Sequence, residues 1–236
     1  MVAHRRTRPR RILVLDVGGT HVKLGFSDRR AEVHVPSGPA MGPEKMLRAL
    51  APLLRGERYA RVAIGYPGLV VHGRILHEPH NLGPGWVGFH FEKAFHHPTR
   101  IANDAAMQAL GSYRGGRMLF LGLGTGLGTA MIVDGELEPM ELAHLPYKKG
   151  RTYEEFVGEA GLRRLGRKRW QKEVFAVVGS LAAALEPDYV VLGGGNARKL
   201  RTLPPRAERG DNRNAIAGGV RLWRGVPPAA RRRRKA

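Results

Sequence analysis

The chain has 236 residues, enough for one large domain or two small lobes, and its hydrophobic content of 42% is ordinary for a globular protein. It contains no cysteine, which excludes disulfides, thiolate metal sites and a thiol nucleophile. No apolar run approaches the ~18 residues of a membrane helix, and the basic start lacks the apolar core of a secretory signal. We therefore expect a cytoplasmic protein without a membrane partner.

The net charge of +20 is concentrated at the two ends of the chain. Residues 1–11 and 224–236 are rich in arginine, and we expect both segments to be disordered tails. The remaining body keeps about half of the excess charge, which attracts polyanions such as nucleotides, polyphosphate or nucleic acid. An arginine-rich composition without a functional meaning explains the same charge.

The first half of the chain is predicted to contain a series of short strands and two helices. Apolar patterns predict strands at 12–16, 21–27, 32–35, 61–65, 69–71, 74–77 and 99–102. Helical spacing predicts a helix at 43–54 and a short helix ending at 95. The first two strands enclose a glycine-rich turn, which indicates a β-hairpin.

The second half is predicted to contain more helix than the first. A helix is predicted from Asn103-Asp104 to about residue 113, followed by strands at 118–123, 129–133 and 189–192. Further helices are predicted at 152–165, 167–185 and 212–223, the first two separated near Gly166. The recurrence of strand, glycine turn and strand at 12–27 and 118–133 favours two similar α/β lobes that face a cleft.

The first glycine turn is the sharpest local signal in the sequence. It runs from Asp16 through Gly18, Gly19 and Thr20 to Lys23. Glycines let backbone N–H groups approach a phosphate closely, Thr20 can donate to it, and Lys23 can supply charge. Asp16 could orient Mg²⁺ through water. The alternative is an ordinary hairpin turn with a solvated lysine.

Two later glycine turns have similar chemistry. Gly124, Thr125 and Gly126 lie between two predicted strands, and two such hairpin turns together favour phosphate binding over plain turns. Gly194 and Gly195 follow a third strand and could seat the phosphoryl donor. Close packing of a helix on a strand would also explain that last glycine run.

Several polar residues are candidates for sugar binding and proton transfer. Asp104 could be a general base that takes the proton of an attacking hydroxyl, although Asn103-Asp104 could equally be an N-cap pair. Glu141 and His144 could bind vicinal hydroxyls or be simply exposed, and they lack further ligands at metal-site spacing.

The segment beginning at Thr152 predicts a capping box, with Glu155 reaching back to the N-cap. That structural role leaves Glu154 as the freer carboxylate for a sugar. The basic helical stretch at 163–172 reads as a solvated face, with a polyphosphate track as the alternative.

The ordered set of motifs resembles the ROK family of bacterial sugar kinases, and most closely its polyphosphate glucokinase branch. The resemblance covers about residues 12 to 223. It rests on seven motifs in this order: 16–23, 65–68, 81–83 with Trp86, 103–104, 124–128, 141–144 and 193–195.

The resemblance implies an α/β, two-lobed actin-like ATPase (ribonuclease H-like) fold with the sugar in the cleft between lobes at 12–102 and 103–223. The last helix belongs to the second lobe in sequence, and it could pack either within that lobe or on the N-terminal lobe. Asp104 would be the base for the sugar 6-hydroxyl, and the turns at 16–23 and 124–128 would bracket the transferred phosphoryl group, with Mg²⁺ required. The other hydroxyls would be held by a set of polar residues and backbone positions: Asn103, Glu141, His144 and Glu154, with Gly65 and Asn81 nearby.

Two departures from the family pattern matter. Many members carry a cysteine-rich zinc motif where this chain has the short, cysteine-free segment 145–152, so we expect no zinc. The family usually has glycine before the histidine, where this chain has Ala143, whose methyl group could shift His144 or trim the sugar pocket.

We expect a hexose kinase that uses polyphosphate, ATP or both, and that forms a homodimer as many family members do. The alternative is a sugar-responsive regulator or a nucleic-acid-binding relative. No helix-turn-helix pattern precedes Ile12 and the tails lack interleaved aromatic residues, so we do not expect nucleic acid as a partner. An idle binding protein is a third option, against which the presence of Asp104 argues.

Overall fold

The computed structural model describes residues 11–211 and 213–226, and the chain divides into two compact units between Asn103 and Asp104. The division falls one residue after the predicted boundary. Most of both basic tails and Asn212, the predicted first residue of the last helix, lie outside the described residues.

Arg11, which the sequence assigned to the tail, is anchored in the first unit. Its guanidinium donates to Asp28 (2.8 Å) and Glu57 (2.6 Å) and lies 3.9 Å from the ring centre of Phe26. A side chain held by two carboxylates and an aromatic face belongs to the folded unit, which corrects that assignment.

Between residues 11 and 103, the first unit contains seven strands and two helices. The strands are β1 (Ile12–Val17), β2 (His21–Phe26), β3 (Glu32–Pro36), β4 (Arg61–Tyr66), β5 (Val70–Val71), β6 (Arg74–Ile75) and β7 (Thr99–Asn103). The helices are α1 (Pro43–Leu54) and α2 (Phe91–Phe95). Five strands form one sheet in the order β3-β2-β1-β4-β7, while β5 and β6 pair separately.

The described part of the second unit, residues 104–211 and 213–226, contains five strands and four α-helices. Its strands are β8 (Arg117–Leu123), β9 (Leu127–Val133), β10 (Glu136–Met140), β11 (Tyr189–Gly193) and β12 (Ala207–Arg209). Its helices are α3 (Asp104–Ser112), α4 (Tyr153–Val157), α5 (Glu159–Leu185) and α6 (Asn214–Arg224). Short 3₁₀ helices cover Leu142–His144 and Gly195–Lys199.

Both five-stranded sheets have the same strand order and the same strand directions. In each, two antiparallel hairpin pairings are followed by two parallel pairings: β3-β2-β1-β4-β7 in the first unit and β10-β9-β8-β11-β12 in the second. The central strands β1 and β8 are almost continuously apolar and buried, as expected for strands covered on both faces. The predicted recurrence of two similar α/β lobes is therefore confirmed at the level of strand order.

The helical region 152–185 has two breaks, whereas the sequence predicted one. The expected break at Gly166 is present, with φ of 69° and ψ of 159° inside α5. A second break at Gly158 was missed. A Cβ at Gly158 would lie 2.8 Å from the carbonyl oxygens of Thr125 and Glu154, so the position has no room for a side chain.

The last helix, α6, packs on α3 within the second unit. The carbonyl oxygen of Asn214 lies against Gly111, and that of Met107 lies against Gly218, so neither glycine has room for a methyl group. Arg221 donates to the carbonyl oxygens of Leu110, Gly111 and Tyr113 at the C-terminal end of α3. These contacts, all with α3 and its C-terminal end, fix where α6 lies in the second unit.

Candidate active site

The first glycine turn joins β1 to β2 and is held tightly by its neighbours. Gly18 N–H donates to the His21 carbonyl oxygen (3.0 Å), and Ser37 Oγ donates to the Gly18 carbonyl oxygen (2.6 Å). A Cβ at Gly19 would lie 3.0 Å from Cβ of Asn81, so the turn packs directly on that residue. The contact brings Asn81, a predicted sugar-site residue, to the predicted phosphate turn.

Asp16 and Lys23 form an ion pair at the base of this turn. They are cross-strand partners in β1 and β2, and Nζ of Lys23 donates to Oδ2 of Asp16 at 2.7 Å. Asp16 is only 5% exposed. The predicted point charge of Lys23 is thus paired with the carboxylate predicted to orient Mg²⁺.

A lone carboxylate fits the way proteins commonly hold Mg²⁺, through one or two carboxylates with water and substrate phosphates completing the shell. Across residues 11–211 and 213–226, the structure contains no group of three metal-ligating side chains. The single carboxylate of Asp16 is compatible with a magnesium ion that brings its own water and phosphate ligands.

The carboxyl ends of the parallel strands β1, β4 and β7 gather more of the predicted residues. Asp16 is the register partner of Gly65, and Tyr66 is the register partner of Asn103. Asn103 Nδ2 donates to the Gly68 carbonyl oxygen at 3.0 Å. In open α/β sheets, ligands bind at the carboxyl ends of the parallel strands. Gly65 and Asn103 lie at this end of the sheet, and Asn81 packs on the glycine turn at the same end.

Asp104 is the first residue of α3. Its Oδ1 accepts the N–H of Ala105 at 2.7 Å, and the residue is half-buried. Negative side chains interact favourably with the positive end of a helix dipole, and a general base must be able to accept a proton. This hydrogen bond engages one carboxylate oxygen with the start of the helix, and the role of Asp104 as a base stays a prediction.

The start of α3 lies against the hairpin that carries the second glycine turn. A Cβ at Gly128, in β9, would be 2.6 Å from Cβ of Ala105. Only a glycine allows this approach, so the first turn of α3 and the β8–β9 hairpin are in direct contact. The second unit thereby brings Asp104 to the same hairpin as the turn Gly124–Gly126.

The second glycine turn is fixed by two acidic residues. Gly124 N–H donates to the Gly126 carbonyl oxygen (3.1 Å), and Glu159 N–H donates to the Gly124 carbonyl oxygen (3.0 Å). Glu154 Oε2 accepts the N–H of Leu127 at 3.2 Å and packs on Gly126. Glu154 was predicted to be the freer of the two glutamates, but one of its oxygens is engaged with the turn, and its sugar-binding role stays a prediction.

The capping box predicted at Thr152 is present. Glu155 Oε2 accepts the N–H of Thr152 at 2.8 Å, and this hydrogen bond is the first cause of the lowered pKa of Glu155. The reciprocal bond from N3 to the Thr152 side chain completes the motif.

The third glycine turn packs on the second. Gly194, with φ of 80°, lies against the backbone of Leu123 with no room for a side chain. Asn196, only 6% exposed, donates from Nδ2 to the Gly124 carbonyl oxygen (3.0 Å) and to Oε2 of Glu159 (2.8 Å). All five predicted donor-site residues of the second unit are therefore brought together.

Glu159 is the residue that links these turns, and sequence analysis missed it. The hydrogen bond from Asn196 is the first cause that lowers the pKa of Glu159, followed by the opposing effect of burial and the attraction of Lys199. Its i,i+4 pairing with Arg163 is an ordinary helix-surface contact, and the partners that join it to the turns, Asn196 and Lys199, lie 37 and 40 residues further along the chain.

Glu141 and His144 flank a 3₁₀ turn after β10. His144 Nε2 lies 3.7 Å from Glu141 Oε1, and their side chains are 69% and 62% exposed. Ala143 between them is 1% exposed and packs in the core of the second unit. The extra methyl group that distinguishes Ala143 from glycine therefore fills core space, with the two polar side chains at the surface.

The cysteine-free segment 145–152 is held by an aromatic and ionic cluster. Tyr147 Oη (2.7 Å) and Lys148 Nζ (2.8 Å) both donate to Oε2 of Glu173 in α5. The Tyr147 ring packs on Tyr153 and Phe156. Burial raises the pKa of Glu173, but the hydrogen bonds from Lys148 and Tyr147 outweigh it and the net shift is downward.

The model of the ROK family matches residues 12–139, just over half of the chain. The chain belongs to the ROK family. A polyphosphate glucokinase of Mycobacterium tuberculosis (strain H37Rv) is 28% identical over 218 residues, covering 82% of this chain and 81% of the relative. An N-acetylmannosamine kinase of Salmonella newport is 30% identical over 142 residues, covering 53% and 48%.

Solved structures show that this ROK chain has the actin-like ATPase fold. The inorganic polyphosphate/ATP-glucomannokinase of Arthrobacter sp. strain KM superposes with a TM-score of 0.74 at 24% identity, covering 89% of this chain and 97% of that one. A ROK glucokinase of Streptomyces griseus, solved with glucose and AMPPNP, gives 0.74 at 17% identity, covering 91% and 99%. A ROK transcriptional regulator gives 0.65 at 14% identity, covering 90% and 80%.

In the described parts of the chain, no helix has both the length and the apolarity that a bilayer crossing demands.

Proposed function

We propose that the protein is a hexose kinase of the glucokinase type that transfers a phosphoryl group from polyphosphate, ATP or both to the sugar 6-hydroxyl. The observation that carries the proposal is the contact between the start of α3, which bears Asp104, and the hairpin that bears the second glycine turn. The names of the relatives, a polyphosphate glucokinase and a polyphosphate/ATP-glucomannokinase, support the same reaction.

In the proposed reaction, the sugar oxygen attacks the terminal phosphorus of the donor, and the bond from that phosphorus to its bridging oxygen breaks. Asp104 accepts the hydroxyl proton as the new O–P bond forms. The charge on the transferring group is stabilised by N–H groups of the glycine turns and by Lys23. Water competes with the sugar as nucleophile, so its exclusion favours transfer over hydrolysis.

The other predicted residues would position the two substrates. Asn103, Glu141, His144 and the second oxygen of Glu154 would hold sugar hydroxyls, with the backbone of Gly65 and the side chain of Asn81 nearby. Asp16 would hold Mg²⁺, which neutralises charge on donor phosphates when it is bound. We also propose a homodimer in the cytoplasm, as expected for this kinase type.

The proposal predicts a large kinetic effect of Asp104→Asn. The amide cannot accept the proton, so turnover should fall by about 10²–10⁴-fold while the thermal melt changes little. The measurement is glucose-6-phosphate formation with glucose, Mg²⁺ and each donor in turn. Near-normal turnover of the variant would remove Asp104 from the role of base.

A matched control is Asp134→Asn in the turn between β9 and β10. Asp134 is exposed and has a φ of 50°, a backbone conformation that asparagine accepts readily. This isosteric change should leave turnover unchanged. A loss like that of Asp104→Asn would show that the assay responds to charge rather than to proton transfer.

The similarity to a ROK transcriptional regulator supports a second candidate, a sugar-responsive regulator without catalysis. This candidate predicts salt-dependent binding of nucleic acid and no sugar phosphate with either donor. Measuring glucose-6-phosphate formation and nucleic-acid binding on the same protein distinguishes the two candidate functions.

A further inference from the structure

A group of basic side chains lies along one edge of the second unit, directly beyond the donor turns. We define this basic seam as Arg163 and Arg167 of α5 together with Arg198, Lys199 and Arg201. The proposed reaction assigns no role to any of these five residues.

The seam follows a line of contacts between α5 and the chain after the third turn. Arg167 donates to the Lys199 carbonyl oxygen, and Gln171 Oε1 accepts the N–H of Arg201 at 2.8 Å. Gln171 Nε2 also donates to Thr202 Oγ1 at 3.1 Å. Arg163 precedes the break at Gly166, whereas Arg167 and Gln171 follow it, so these contacts, rather than one continuous helix face, align the basic row with the 195–202 segment.

One end of the seam is joined to the second and third glycine turns. Glu159 bonds through its N–H to Gly124 and through its carboxylate to Asn196. The same carboxylate lies 3.2 Å from Arg163 and 3.5 Å from Lys199, the first seam cations beyond the turns. The seam therefore starts where the donor phosphate is expected and runs away from it on the surface.

Most of the seam charge is not neutralised by the protein. Among the residues that the structure describes, Glu159 is the one acid in direct ion pairs with the seam. Arg198 contributes to the lowered pKa of Asp211 at longer range, but that carboxylate is paired with Arg213. Exposed like charges at this density repel one another, and a ligand with regularly repeated negative charge would relieve the repulsion.

We propose that the basic seam binds the chain of inorganic polyphosphate beyond the phosphate that reacts. The inference rests on the proposed kinase function and names the part of the donor that this surface holds. Arginine and lysine bind phosphate oxygens through charge-assisted hydrogen bonds, and a long polyanion can contact several of them at once. ATP has only two phosphates beyond the one that is transferred, whereas long-chain polyphosphate continues as a polyanion, so the surface favours polyphosphate as donor.

The test is a triple variant, R163Q/R198Q/R201Q, which removes three seam charges but keeps the contact of Arg167 with Lys199. Its KM for long-chain polyphosphate should rise by about tenfold or more, with kcat and the KM for ATP unchanged. The dependence of long-chain binding on salt concentration should also become shallower, by about one unit of the log–log slope for each phosphate-binding side chain removed.

A matched control removes the same charge elsewhere. K45Q/R48Q/R55Q changes three residues of α1 and its C-cap, and it should leave the KM for long-chain polyphosphate unaltered. Thermal melts of both triple variants verify that they are folded.

The following results would contradict the proposal that the basic seam binds polyphosphate. An unchanged KM for long-chain polyphosphate, an equal rise in the KM for ATP, or the same effect in the α1 control would each contradict it. A wild-type enzyme that uses ATP alone would do so too, as would RNA displacing long-chain polyphosphate without any effect of the triple variant. If no donor supports sugar phosphorylation, the proposed function fails, and direct titration with labelled polyphosphate still decides whether the seam binds it.

Discussion

The side-chain amide of Asn196 joins two turns that lie about 70 residues apart in the chain. Its two hydrogen bonds, to the Gly124 carbonyl and to Glu159, are made in a nearly fully buried position. A buried acceptor deprived of its donor costs about 1–3 kcal/mol, so this residue has a large effect for its size.

Asn196→Ala should therefore lower the free energy of unfolding by about 1–3 kcal/mol and raise the KM for the donor more than the KM for the sugar. The pKa of Glu159 should move back toward its ordinary value, since the hydrogen bond that chiefly lowers it is removed. Denaturant unfolding and steady-state kinetics measure the two effects. Asn214→Ala, which removes a bond to Ser112 instead, should destabilise without raising the donor KM.

The roles of single residues could be predicted from the sequence only where their partners are close along the chain. The capping role of Glu155 could be predicted because its partner, Thr152, is three residues away. The role of Glu154 could not be, because its partner Leu127 is 27 residues earlier and is brought close only by the packing of α4 on the β8–β9 hairpin. Glu159 escaped notice for the same reason.

At the scale of elements, α3 and α6 approach so closely that glycines are required at the contact. Each of Gly111 and Gly218 faces a carbonyl oxygen of the opposite helix. Since α3 begins with Asp104, this helix pair connects the stability of the second unit to the position of the proposed base.

Gly218→Ala should force the two helices apart, lower the free energy of unfolding by about 1–3 kcal/mol and reduce turnover. Gly179→Ala is the matched control, because Gly179 lies on the exposed face of α5 with open space around it. That change should raise the free energy of unfolding by about 0.4–1 kcal/mol and leave turnover alone. Equal stabilities of the two variants would contradict the packing argument.

Elements with strong local signals were predictable, and those fixed by distant contacts were not. The bounds of α1 and the break at Gly166 follow from apolar spacing and from a glycine in the left-handed region. The strands β10 and β12 were missed. The first contains two glutamates and a proline and the second is three residues long, so only their pairing with β9 and β11 makes them strands.

At the scale of the whole molecule, paired carboxylates govern the response to acid. The pKa is lowered for five of them, each held by hydrogen bonds or cations: Glu57, Glu155, Glu159, Glu173 and Asp211. A carboxyl group whose pKa is lower in the folded state stabilises the fold above its unfolded pKa. That stabilisation is lost as the pH falls through the folded pKa.

The melting temperature should therefore be nearly constant above the ordinary carboxyl pKa of 4.5 and fall steeply below it. Thermal melts across a pH series measure this, and Glu173→Gln should make the acid-side decline shallower by removing one of the titrating groups. A melting temperature that stays level well below pH 4.5 would disprove the assignment of these pKa shifts.

The pairing of α3 with α6 also sets an order of events during synthesis. The two helices are separated by about 110 residues of chain, so α3 leaves the ribosome long before its partner exists. Until residue 224 has been translated, the helix bearing the proposed base lacks the neighbour that clamps it. A nascent chain stalled between residues 104 and 213 would hold the first unit in full but lack α6, and we expect it to lack the proposed kinase activity.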